Sequence, residues 1–453
     1  MREGAGPAAP FRGLSMNEDL VREVERLVRS NDEWRLRRTL NLIASENVLS
    51  ARARALLPSD FGHRYAEGHP KRRYYQGTGP IDTIEIRARE AMMRLFDCRH
   101  AEVRSISGTH ANNVVFSAFI GPDDPVVVNA LEVGGHISHH HMGEMGKFTR
   151  RISAWPRTAD GYRIDVGRAK DLLARERPKF ALLGKSLFLF PEPVREIAAT
   201  CRELGILLVY DAAHVLGLIA GKRFQDPLAE GAQILLGSTH KTFFGPQRGV
   251  ILSNLDEEEW KKVDRKAFPG SLSNHHLFTL PPLLVAAYEM QAFGREYAAQ
   301  ITANAKHLAR SLARMGFDVQ CPELDYTESH QVAVDVRRQG GGDRCAPLLE
   351  RNDIICNYNL LPFDDPRNPM KPSGLRLGVQ EMTRWGMKEP EMEEIARLFK
   401  ACLIDGRDVR EEVRRLRSRF LRVCFSFDGP DGRPEGGTVQ RGEAPVDVDL
   451  AGY

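Results

Sequence analysis

Three short stretches of this chain place reactive residue types where an α/β protein can use them. In LLGSTHKTFFGPQRG, residues 235–249, Lys241 follows an apolar run and precedes a loop marked by Gly245, Pro246 and Gly249. In YDAAH, Asp211 closes a second apolar run, with His214 three residues on. In SGTHAN, residues 107–112, a turn of small residues opens a helix. Open α/β sheets gather ligands at strand ends of this kind. A small-residue turn before a helix offers N–H groups and hydroxyls to a phosphate. A lysine, a carboxylate and a phosphate cradle at separate strand ends are what pyridoxal phosphate requires. The lysine condenses with the aldehyde, the carboxylate keeps the pyridine nitrogen protonated, and the cradle anchors the phosphate. Taken singly, each has an ordinary reading as a surface cation, a helix cap or a turn glycine. Their coincidence, in this order, is the specific signal.

The elements that must position them are legible from periodicity. Residues 17–40 have helical spacing with acidic residues in the first turn, and residues 60–80 are irregular. Helical patterns at 81–96 and 194–204 then alternate with short apolar runs, PVVVNA, KFALLGKSLF, ILLVYDAAH and AQILLGSTHK. Such runs separated by helices predict a mostly parallel sheet covered on both faces. A long helix is expected from Leu283 to about Met315, then a strand in HQVAVDV and helices over 388–403 and 407–423. The resulting division is a leader and arm helix (1–59), a large α/β domain (60–290), a small α+β domain (291–428) and a disordered tail (429–453).

Composition narrows the class. The 64 Lys and Arg nearly balance 61 Asp and Glu, which gives no reason to invoke nucleic acid or an anionic membrane. No apolar run approaches a membrane span, and the N-terminus lacks a signal-peptide core. The seven cysteines are scattered with no CxxC, as expected of reduced thiols in a cytoplasmic enzyme. HISHHH, residues 136–141, is nearly contiguous and lacks a carboxylate or cysteine at ligand spacing, so no metal is expected there.

Longer motifs add a resemblance. LIASEN (42–47), RYAEGHPKRRYYQG (64–77), SGTHAN, GGH (134–136), YDAAHVLGLIAG (210–221), STHKTFFGP (238–246) and SGLRLG (373–378) resemble serine hydroxymethyltransferase, in that family's order and over roughly residues 17–425. The chain is also similar to the L-threonine transaldolases. Both imply the type I pyridoxal-phosphate-dependent transferase fold and a homodimer with shared active sites. The resemblance implies Lys241 as the Schiff-base lysine and Asp211 as the partner of the ring nitrogen. It places His214 and Ser186 near the phenolic oxygen, and Ser107, Gly108, Thr109, Ser238 and His240 around the phosphate. Arg376 would grip the substrate carboxylate, with Ser45 and with Tyr75 of the other subunit. An arginine fork matches a carboxylate's two oxygens. Glu67 and Tyr65 would handle protons, and His136 would cover the ring.

The departures bear on the substrate. The hydroxymethyltransferase pattern has a ring-stacking histidine before GGH, where this chain has Val133. Its Gly-Gly pair after FPG, which serves the neighbouring subunit's phosphate, is here Ser273 and Asn274, as in the transaldolases. The arginine after GP is Gln247. Conversely, Glu67, Tyr74 and Asn359 match positions that touch folate. The balance favours transfer of a glycine unit from L-threonine to an acceptor aldehyde, with release of acetaldehyde. The alternatives are a hydroxymethyltransferase using tetrahydrofolate, and a scaffold of the same fold without chemistry. Lys241→Ala is expected to lose the visible absorbance of the lysine–cofactor linkage and nearly all turnover. A yellow, active Lys241→Ala protein would move the chemistry to another residue.

Overall fold

The computed structural model describes residues 12–429, apart from 366 and 369. The tail after 429 and the leader before Arg12 lie outside the described residues. The first helix, Arg12–Arg37, begins earlier than its polarity suggests, and its first turn carries no acidic residue. Glu18 and Asp19 therefore sit inside it, where Glu18 pairs with Arg22 at i,i+4.

The main sheet has seven strands, in the order His100–Glu102, Gly249–Ser253, Ile234–Ser238, Leu207–Asp211, Phe180–Leu183, Val126–Val128, Ile152–Ala154. The last five are mutually parallel. Gly249–Ser253 runs antiparallel to both neighbours. Successive side chains of a strand point to opposite faces, and here each face has its own core. Val127, Ala181, Leu183, Leu208, Tyr210, Leu235, Val250 and Leu252 share one cluster with the helices Gly79–Phe96 and Leu280–Arg314. Val126, Val128, Phe180, Leu182, Val209, Ile234, Leu236 and Ile251 share another with Gly108–Phe119 and Glu257–Ala267. Double coverage is why these strands read as unbroken apolar runs. Ser186, Asp211 and Ser238 lie at or just past the carboxyl ends of three adjacent strands.

A second sheet of four antiparallel strands has the order Asp318–Val319, Gln331–Asp335, Gly374–Gly378, Asn357–Asn359. The 35-residue helix Leu280–Arg314 packs against both Gly79–Phe96 of the first half and Glu389–Leu403 of the second. The last predicted helix is shorter than its pattern and covers only Arg410–Ser418. Among the described residues, no helix is long and apolar enough to cross a membrane.

The segment 40–47 joins the start of the chain to its end. Leu40–Asn41 pairs in parallel with Ile354–Ile355. Gln380 donates to the carbonyls of Ile43 and Glu46, each at 2.7 Å. Beside it, Arg384 donates to Glu289 at 2.7 Å, and both side chains are fully buried. The Arg384 guanidinium also lies 3.6 Å from the Phe244 ring centroid, three residues from Lys241. Removing one partner of such a pair leaves a buried charge. Arg384→Met is expected to cost about 3–5 kcal/mol of stability, and Arg384→Met combined with Glu289→Met to recover part of it. Thermal unfolding of the two variants measures this, and a single variant melting with the parent would remove the pair from the frame.

Candidate active site

Lys241 sits in the loop between the antiparallel strands Ile234–Ser238 and Gly249–Ser253, three residues past the end of an apolar run. The loop is closed by Thr239, whose N–H donates to the Arg248 carbonyl at 3.0 Å and whose hydroxyl donates to the Pro246 carbonyl at 2.5 Å. Thr242 ties it to the neighbouring strand end: its hydroxyl donates to the His214 carbonyl at 2.8 Å and accepts from the Gly217 N–H at 2.9 Å. Asn47 of LIASEN donates to the Lys241 carbonyl at 2.6 Å. Three separate segments thus fix the backbone that carries the amine.

A cavity of about 170 Å³ opens at these strand ends. It brings together ten of the predicted residues: Ser107, Gly108, Thr109, His136, Ser186, Asp211, His214, Ser238, His240 and Lys241. Asp211 accepts from His139 Nε2 at 2.9 Å and Asn112 Nδ2 at 3.1 Å on one oxygen, and from the Ala213 N–H at 2.9 Å on the other. Burial alone would raise its pKa. The hydrogen bond and charge of His139, with the Ala213 N–H, reverse this and hold the carboxyl well below the usual carboxylate range. Burial brings the Lys241 amine down to about 8, opposed by Asp211 and reinforced by Arg376. Burial likewise lowers His136 and His240 to about 4.

The anion end is built by the helix Gly108–Phe119. Ser107 caps it by accepting from the His110 N–H at 3.0 Å, and helix geometry leaves the Gly108 and Thr109 N–H groups unspent. A methyl group on Gly108 would collide with the Ser238 hydroxyl. Asn112, His139 and His240 line the space, and each keeps a buried polar atom without a protein partner: Asn112 Oδ1, His139 Nδ1 and His240 Nδ1. An ionised carboxylate, an amine lowered to about 8 and a helix N-terminus ringed by hydroxyls fit a ring nitrogen, an aldehyde and a phosphate. Pyridoxal phosphate therefore fits the donor set present.

Arg376 lies beside the cavity on the strand Gly374–Gly378, donating to the Ser186 carbonyl at 2.9 Å and to Asn357 Oδ1 at 3.1 Å. Ser45 is not in the Lys241 cavity. It lines an adjoining groove of about 880 Å³, together with Gln247, Glu381 and His240, which borders both spaces. Tyr65, Glu67, Tyr75, Ser273 and Asn274 do not reach Lys241 within one chain. Four of them form a separate group: Tyr65 and Ser273 hydroxyls are 2.8 Å apart, the Tyr65 and Tyr75 rings 5.0 Å, and Asn274 accepts from the Ala66 N–H at 3.1 Å. Glu67, half-buried, lies next to Ala66 in sequence. One chain does not assemble Glu67 and Tyr65 as a proton-handling pair at the lysine.

Val133, at the place of the pattern's ring-stacking histidine, is buried in the short turn Leu131–Val133 and does not line the cavity, so its departure from the pattern does not bear on the space there; His136 does line it. Asn112, His139 and Lys185 line the cavity but were not singled out in the sequence. Asn112 stood in the quoted SGTHAN, and His139 in a histidine run whose sequence suggests a polar loop or helix start near the cofactor more than a metal site, with no one member picked out for Asp211. The run's members bond separately: His139 to Asp211, His140 to the Asn129 carbonyl at 3.0 Å, and His136 Nδ1 to the Ser138 hydroxyl at 2.7 Å.

This fold and site define a pyridoxal-phosphate-dependent transferase. Residues 18–399 match the family model for serine hydroxymethyltransferase. The chain is 48% identical over 418 residues to a serine hydroxymethyltransferase of Saccharolobus islandicus, covering 92% of this chain and 96% of that one. It is 46% identical over 423 residues to that of Aeropyrum pernix, covering 93% and 96%. Among solved structures, L-threonine transaldolase from Pseudomonas fluorescens is similar with a TM-score of 0.82 and 29% identity, over 91% of this chain and 95% of that one. The chain belongs to the serine hydroxymethyltransferase family.

The depressed lysine gives a measurable consequence. Only the free amine attacks an aldehyde, and its fraction rises through its pKa. The rate at which the cofactor-free protein captures an aromatic aldehyde is expected to rise with pH around a midpoint near 8. A midpoint near the ordinary lysine value would mean that Lys241 is not buried as described.

Proposed function

We propose that this protein transfers the glycine unit of a β-hydroxy amino acid by cleaving and remaking its Cα–Cβ bond with pyridoxal phosphate. The observation that carries this is the cavity in which Lys241 faces an Asp211 carboxylate kept ionised by His139. The cofactor, when bound, supplies an electron sink for the charge left on the α-carbon. Asp211 would keep a proton on the ring nitrogen. Gly108, Thr109, Ser107, Ser238 and His240 would hold the phosphate. Lys241, with a pKa of about 8, can hold the aldehyde and carry a proton to and from the α-carbon. Arg376, two of whose nitrogens are held by Ser186 and Asn357, would present its remaining N–H groups to the substrate carboxylate.

Two arguments shift the donor from threonine toward serine, with the hydroxymethyl carbon passing to tetrahydrofolate. The relatives at 46–49% identity are named for serine, whereas the transaldolase likeness is 29%. Val133, which does not line the cavity, gives the transaldolase reading no support. L-Threonine transaldolase remains the second reading, favoured by the TM-score of 0.82 and by Ser273, Asn274 and Gln247. We further propose a homodimer in which Tyr65, Glu67, Tyr75, Ser273 and Asn274 complete the partner's site, since they lie apart from Lys241 in their own chain. The seven free cysteines support a cytoplasmic setting. The domain limits proposed are 60–290 and 291–428, each containing one of the two larger sheets.

One preparation assayed two ways tests the donor. Serine with tetrahydrofolate is expected to give glycine and methylene-tetrahydrofolate faster than threonine with an added aldehyde gives acetaldehyde. The reverse order, without folate, would assign the protein to the transaldolase reading.

A further inference from the structure

We infer that Gln331 is a positioning residue that holds His214 as its Nε2–H tautomer, so that this ring meets the cavity as a hydrogen-bond donor and not as a proton acceptor. The consequence for turnover rests on the function proposed above; the tautomer itself does not.

The argument starts from the Gln331 amide, whose orientation its neighbours determine. Its oxygen accepts from the Phe188 N–H at 2.8 Å, and a backbone N–H can only donate. Its nitrogen lies 3.0 Å from the Ser186 carbonyl, which can only accept. Turning the amide over would set donor against donor and acceptor against acceptor. The Ser186 carbonyl also accepts from Arg376, which confirms which way it points.

An amide nitrogen has two hydrogens. One goes to Ser186. The second lies toward His214 Nδ1, also at 3.0 Å. Nδ1 must then offer a lone pair, and in a neutral ring the proton is on Nε2. His330 Nε2 is 3.3 Å from the same amide nitrogen, but its own proton is directed to the Ala44 carbonyl at 3.2 Å. Carrying that proton, Nε2 has no lone pair with which to accept from the amide, so His330 does not compete for it. The His330 ring stacks on His214 with centroids 5.8 Å apart and planes 18° from parallel. The His214 ring is neutral: burial depresses it well below its ordinary value, and Lys241, Arg376, His330 and His136 all act in the same direction.

With Nδ1 occupied, Nε2–H is the polar atom His214 has left for the cavity it lines. It can donate to an oxygen of the cofactor or substrate. It cannot accept a proton there, so proton transfer falls to Lys241 or to groups from the partner chain.

Joint neutron and X-ray diffraction on the deuterium-exchanged holoenzyme reads the tautomer directly. Deuterium on His214 Nε2 and none on Nδ1 is expected; density on Nδ1 overturns the inference. Gln331→Glu supplies a second arm, because a carboxylate has no proton to give Nδ1. It is expected to bring deuterium onto Nδ1 and to lower kcat on the order of tenfold, as for loss of one hydrogen bond to a reacting group, with KM for the amino acid little changed. Gln331→Met, neutral and similar in volume, should leave deuterium divided between the two nitrogens and serves if Gln331→Glu does not fold. An unchanged Nε2–H ring in the variant that folds would overturn the role of Gln331. The deuterium readings hold whether serine, threonine or neither is turned over, so a failed donor assay and a failed tautomer are told apart.

Discussion

The Asp211 carboxylate is charged and has almost no contact with water, and much of the surrounding architecture follows from keeping it so. A buried carboxylate without partners costs several kcal/mol or takes up a proton. Here the partners come from three places: His139 from a single-turn helix, Asn112 from the helix Gly108–Phe119, and the Ala213 N–H from the chain just beyond. Bringing those segments close requires backbone without side chains. A methyl group on Gly184 would strike the Asp211 carbonyl, and one on Gly135 the Asn129 carbonyl; Gly184 also has φ +112°. The same helix whose asparagine reaches Asp211 presents its N-terminus to the other end of the cavity, so one element serves two charges of opposite character.

Lys241 and Asp211 are both shielded from water, and both pKa values are lowered, for different reasons. The carboxyl becomes a stronger acid because His139 is against it. The amine becomes a weaker base because burial dominates and Arg376 adds to it. Each shift comes from neighbours and burial that the rest of the fold supplies.

Sequence reading recovered the parallel sheet and the cluster around Lys241 because both rest on local signals. Doubly covered strands are continuous apolar runs, and SGT, YDAAH and THK each mark a strand end or helix start. What it missed depends on chain folding over long separations. His139 reaches Asp211 across 72 residues, and Gln331 reaches His214 across 117; nothing in either local pattern announces the contact. Val133 was misjudged for a related reason. It directly precedes GGH along the chain, but it is buried in the turn Leu131–Val133 and is not among the residues that line the cavity. Tyr65 and Ser273 were expected at a shared site, and their mutual hydrogen bond is visible only once two distant loops are laid together.

The segment 40–47 has a consequence for the order in which the protein can become complete during synthesis. Asn47 steadies the Lys241 carbonyl, but the segment carrying it is held by Asp353, Ile355 and Gln380. Those residues are made more than a hundred positions after the lysine. A nascent chain that has made every strand of the large sheet, with Asp211 and Lys241, therefore still lacks the residues that anchor this segment. The ribosome must deliver nearly the whole polypeptide before the loop is fully tied, so a truncated product would own most of the cavity without the rigidity that sets the amine.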